Sequence, residues 1–275
     1  MLRIRARRAA LLVIAALSGV ASTVAASTPA FADLPSGVGY SASWDYYTST
    51  SYRYTATLPG IRLTGYGTDS NGTRTTLGTI SDIAADSRCG RVVLYGGSTL
   101  LADKTVCGNG TSVSYSTASF SGVLSIVFHR IVSGTTTVDH SYTFAVPSSV
   151  NDPQLRTVGT GASWTYTDDH SFEFALHRPT VSLTGNGAHQ PWQNQRSVLA
   201  DLEPGAFRCA TGRVQSTNLT VTGGDCNGDI TFIDDWFFSG WVLLEACDTG
   251  SMFTNVENPV PALPRCVSIQ VPTPR

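Results

Sequence analysis

Lysine is almost missing from this chain, with Lys104 the only one in 275 residues, and glutamate occurs four times. Both are strong helix formers, and Ser, Thr and Gly, which favour strands and tight turns over helices, stand in their place. No stripe of basic residues runs through the sequence, so the electrostatic footprint of a nucleic-acid partner is absent. Beyond the first 32 residues no apolar run is long enough to span a bilayer. The cysteines lack any C-x-x-C spacing, which removes the usual zinc sites. Neither G-x-S-x-G, H-E-x-x-H nor a phosphate-cradling glycine loop occurs. No cofactor and no metal is therefore expected.

The N-terminus carries Arg3, Arg5, Arg7 and Arg8, then an apolar, alanine-rich run from Ala9 to Val24, then Ala30-Phe31-Ala32. A basic start, an apolar middle and an A-x-A end are the parts of a secretory signal peptide. Cleavage after Ala32 is expected, giving a secreted, extracellular protein. Without the four leader arginines, 14 basic residues face 20 acidic ones.

The rest of the chain is an internal repeat. At a shift of 120 residues, Ala42-Ser43-Trp44-x-Tyr46 falls on Ala162-Ser163-Trp164-x-Tyr166, and Leu63-Thr64-Gly65-x-Gly67 falls on Leu183-Thr184-Gly185-x-Gly187. Arg88-Cys89 meets Arg208-Cys209, and after small slips Val146-Pro147 meets Val271-Pro272. The expected organisation is a signal peptide (1–32), domain 1 (33–147), a linker (148–158) and domain 2 (159–275). Trp44-x-Tyr46 and Tyr52-x-Tyr54-x-Ala56 alternate at period two, as half-buried strands do. Seven or eight short strands per copy predict an all-β protein of two tandem β-sandwiches, with the strand number of an Ig-like fold. The aromatic pairs Trp44/Trp164, Tyr46/Tyr166, Tyr52/Phe172 and Tyr54/Phe174 are expected in the core. Gly108-Asn109-Gly110 reads as a hairpin turn, and Val198 to Leu202 has the spacing of one helical turn.

The repeat also sorts the six cysteines. Cys89 and Cys107 are the only pair in copy one, and Cys209 and Cys226 are their equivalents. Cys247 is left with Cys266, and these align with His129 and Ser141, two residues expected to face each other across a hairpin.

Candidate sites lie where copy two departs from copy one. Trp192 stands among His189, Gln193 and Asn194, an aromatic plate ringed by amides of the kind that suits sugar or protein recognition. Trp236 likewise has no counterpart. Between Cys247 and Cys266 runs an enlarged, proline-stiffened loop carrying Met252 and Phe253, expected as a contact surface. Asp168-Asp169-His170, with Glu173 and His177, gathers acids and imidazoles that copy one lacks. Asp225, Asp229 and Asp234 depart from the EF-hand pattern, which leaves only an irregular calcium site to consider. The expected function is non-catalytic binding of a glycan, envelope polymer or protein, concentrated in copy two. The alternatives are a proteinaceous inhibitor of secreted proteases and a small secreted hydrolase using the acids of copy two.

Overall fold

The computed structural model describes residues 39–149, 153–168, 170–189, 194–202, 209–218, 220–225, 230–236, 241–248 and 265–272. The described residues of copy one form nine strands: β1 (Ser41–Thr48), β2 (Ser51–Leu58), β3 (Ile61–Ser70), β4 (Thr73–Asp82), β5 (Arg88–Gly96), β6 (Thr99–Cys107), β7 (Thr111–Ser116), β8 (Leu124–Val132) and β9 (Val138–Val146). A single 3-10 turn, Pro153–Arg156, follows. Copy two contains β10 (Gly161–Tyr166), β11 (Ser171–His177), β12 (Val181–Ala188), β13 (Asn194–Asp201) and β14 (Ala210–Gln215). It ends with β15 (Thr220–Asp225), β16 (Ile230–Trp236), β17 (Val242–Asp248) and β18 (Arg265–Val271). The protein is all-β, and among the described residues no helix is long and apolar enough to cross a membrane.

Alternation is strictest in β3. Along β3, Ile61, Leu63, Gly65, Gly67 and Asp69 are buried while Arg62, Thr64, Tyr66 and Thr68 are exposed. The turn into β4 is Asn71-Gly72, both at positive φ (52° and 83°), the geometry of a two-residue type I′ hairpin.

Strand order in copy one is β1-β2-β3-β4-β7 in one layer and β6-β5-β8-β9 in the other. Copy two repeats it as β10-β11-β12-β13-β16 and β15-β14-β17-β18. The two larger layers are one sheet. β1 pairs antiparallel with β10, and ten strands run without a break from β16 to β7. One hydrophobic core lies beneath, and the expected aromatic pairs are all in it, with Trp44 and Trp164 at 1% and 2% exposure. Tyr142 of β9 ties the layers together. Its hydroxyl shares its one proton between the carbonyls of Ser41 (2.8 Å) and Thr57 (3.0 Å), and its ring packs edge-on to Trp164 of copy two. The connection between the copies is packed too: Ser149 and Leu155 are buried.

Two sequence expectations need correction. Val198 to Leu202 is not a helical turn: Val198 to Asp201 form the end of β13, where Leu199 pairs with the core residue Leu183. Gly108-Asn109-Gly110 is not a hairpin, because β6 and β7 belong to different sheets. Asp82, at the end of β4, draws the chain across: its carboxylate accepts the Gly108 amide (2.7 Å) and its carbonyl the Gly110 amide (2.8 Å).

Cys89–Cys107 bridges β5 and β6, and Cys247–Cys266 bridges β17 and β18. Cys247 and Cys266 are register partners, as are His129 and Ser141 at the same place in copy one. Cys209 is also disulfide-bonded, while Cys226 lies outside the described residues.

Candidate functional site

The outward face of the ten-stranded sheet carries a row of small side chains in direct register. From β7 inward the row is Ser114, Thr79, Thr64, Thr55 and Ser43. It crosses into copy two through Ser163 and continues as Ala175, Thr184 and Val198. Paired residues of an antiparallel sheet share a face, so nine strands contribute to one line. Neighbouring hydroxyls bond across strands, Ser43 to Thr55 at 2.8 Å and Thr79 to Ser114 at 3.3 Å. Ser41–Thr57 and Ser81–Ser112, both 2.8 Å, add a parallel row.

Over copy one this row floors a groove of about 850 Å³. Its wall is apolar and aromatic. Tyr66 and Leu77, register partners on β3 and β4, are 51% and 37% exposed, and Tyr47 of β1 is 41% exposed. Arg53 sits beside them with its guanidinium 5.9 Å from the centre of the Tyr47 ring, and its charge is matched by Asp45 at 2.8 Å. Underneath, glycine makes room. A Cβ on Gly65 would lie 2.2 Å from the Tyr54 ring, and one on Gly78 would lie 2.4 Å from the Tyr115 hydroxyl. Those two hydroxyls bond at 2.7 Å, locking the buried side of the strands that carry the groove.

Copy two has the corresponding hollow, about 400 Å³, with different walls. At the shift of 120, Thr167, Glu173, Ala175, Thr184 and Asn186 replace Tyr47, Arg53, Thr55, Thr64 and Tyr66. A third hollow of about 340 Å³ lies between the two over the β1–β10 seam.

The residues singled out from sequence are placed as follows. His189 follows β12 and is 1% exposed, its ring 5.2 Å from Phe172 and 6.0 Å from Tyr166; burial pushes its imidazole down to about 3. It therefore packs inward rather than around a solvent-facing plate. Asn194 opens β13 and pairs with Trp236 at the end of β16, so the backbone brings these two candidates together. Trp192, Gln193, Met252, Phe253, Asp169 and Asp229 lie outside the described residues. Asp225 and Asp234 are on β15 and β16. The Asp168 carboxylate accepts the amides of His170 (2.8 Å) and Ser171 (2.6 Å), which holds it below the usual carboxylate range and shapes the turn. Glu173 points outward from β11 and lines the copy-two hollow.

Tyr47, Arg53, Tyr66 and Leu77 escaped the sequence reading. Their signal was present: Ile61-x-Leu63 marks the inward positions of β3, so Tyr66 falls outward, where a large aromatic is exposed.

Comparison with protein-family models gives no match, and none of the curated proteins compared matches the chain.

Proposed function

We propose that the chain is a secreted, non-catalytic glycan-binding protein, built from two fused sandwiches of Ig-like kind, that takes its ligand on the outer face of the ten-stranded sheet. The observation carrying this reading is the exposed Tyr47, Tyr66 and Leu77 beside a floor of hydroxyls. A sugar ring has apolar C–H faces and a rim of hydroxyls. Aromatic and aliphatic walls cover the faces, while Ser and Thr donate to and accept from the rim. Charge supports a neutral ligand. Among the described residues lining the three hollows only Arg53 and Glu173 are charged, and Arg53 is already paired with Asp45. The binding reading is favoured over a hydrolase because the Asp168 carboxylate is engaged by backbone amides of its own turn.

The test is a glycan array probed with the mature protein and with Tyr66→Ala. Binding to neutral glycans by the wild type, and its loss in a variant of unchanged thermal stability, is the expected result. An array on which the wild type binds no glycan would overturn the reading.

A further inference from the structure

Beside the groove of copy one lies the central hollow over the β1–β10 seam. The central hollow begins at Ser43, whose hydroxyl bonds to Thr55 on the floor of the first groove. It shares Glu173, Phe174 and Ala175 with the hollow of copy two. The floor row runs under all three hollows without a change of register. From β4 to β12 there are six strand-to-strand steps, about 29 Å at ~4.8 Å per step. Only a ligand extended across the strands can use this length.

We infer that the ligand is a single extended glycan chain that lies across the strands and over the seam, held by its apolar faces on Tyr66 and Leu77 in copy one and by hydrogen bonds to Glu173 and Asn186 in copy two. This rests on the glycan-binding reading and adds the ligand's form. The unlike walls give the site a direction, because the Tyr66 position of copy one is Asn186 in copy two. The twist of the sheet selects against flat surfaces. At ~20–25° per strand the facing direction turns by roughly 120–150° over six steps, so a free chain able to twist can follow it and a rigid crystalline face cannot.

The experiment measures affinity for soluble cello-, xylo- and chito-oligosaccharides from disaccharide to hexasaccharide, and pull-down by crystalline cellulose and chitin. The expected result is at least tenfold tighter binding of one hexasaccharide than of its disaccharide, with no binding to the crystals. Glu173→Ala should weaken the hexasaccharide severalfold, with melting unaltered. Equal affinity for all lengths, or a Glu173→Ala protein that binds the hexasaccharide as well as the wild type, would overturn the seam-crossing chain while leaving glycan binding standing. Stronger capture by the crystals than by soluble chains would also overturn it. A wild-type protein that binds no oligosaccharide, no crystal and nothing on the glycan array removes the glycan-binding reading itself.

Discussion

Ser43 and Ser163 stand opposite each other at the centre of the β1–β10 seam, and each is the other's equivalent in the repeat. On either side the pairing is reciprocal: Trp44 faces Ala162, and Ala42 faces Trp164. The same patch on two like units, paired residue i to j and j to i, is an isologous contact. It is the geometry two separate copies would form about a two-fold axis, here made within one chain. The backbone bonds that flank the seam obey the same relation, Tyr46 N to Thr160 O (2.8 Å) and Tyr166 N to Tyr40 O (3.0 Å).

The seam should fail if its closest approach is blocked. Gly161 faces Asp45, and a Cβ there would lie 2.4 Å from the Trp44 carbonyl and 2.8 Å from the Asp45 Cβ. Backbone cannot yield as a flexible side chain does, so Gly161→Val is expected to cost about 1–3 kcal/mol. Amide exchange should rise at Tyr46 and Tyr166, whose donors sit at the seam, more than at the centre of β3. Unchanged stability and exchange would mean the seam does not contribute.

Copy one should depend on a buried ion pair, Asp69–Arg74, whose positions copy two fills with His189 and Asn194. Asp69 and Arg74 are both fully buried, with Oδ2 3.6 Å from Nε. Asp69 also accepts from the hydroxyls of Tyr46 and Ser149, each at 2.7 Å. Arg74 donates to the carbonyls of Gly122 (3.0 Å) and Val146 (2.9 Å), and its guanidinium lies 4.4 Å from the centre of the Tyr52 ring. Removing one partner strands the other charge, so Asp69→Asn should cost about 3–5 kcal/mol in chemical denaturation. His189 holds the Asp69 position in copy two. A loss within error for Asp69→Asn would show that the pair is dispensable.

Acid should destabilise the protein through two desolvated histidines, the buried His189 and the half-buried His129. Burial lowers His189 to about 3 and His129 to about 4, from 6.5. Both stay neutral in the folded state while the unfolded chain takes up their protons below pH 6.5. Their contribution is complete above that pH and is lost as the pH falls towards 3–4. The slope approaches about 1.4 kcal/mol per pH unit for each group. His189→Asn should flatten the dependence of melting temperature on pH between 6.5 and 4. An unaltered slope would assign the acid sensitivity elsewhere.

Much of this fold could be read from residue order, because alternation and repetition are local signals. The inward Ile61, Leu63 and paired tryptophans follow from period two, and Cys247–Cys266 follows from aligning those cysteines with His129 and Ser141. The β1–β10 seam could not be read, since an edge strand's partner is chosen by shape and register far along the chain. Gly108-Asn109-Gly110 misled for a related reason: a glycine turn also serves a crossing between sheets when Asp82 waits at the far side. The groove was half legible. Its outward positions follow from the alternation, but the line from Ser114 to Val198 exists only once nine strands are set in register.

The most direct test of glycan binding on the outer sheet is a hydroxyl-radical footprint of the mature protein, with and without the tightest-binding oligosaccharide. Tyr47, Tyr66 and Leu77 should lose reactivity when the ligand is present. Leu100 and Val138, 56% and 40% exposed on the four-stranded sheet of copy one, should keep theirs. Protection at Leu100 or Val138 with Tyr66 unprotected would contradict the account.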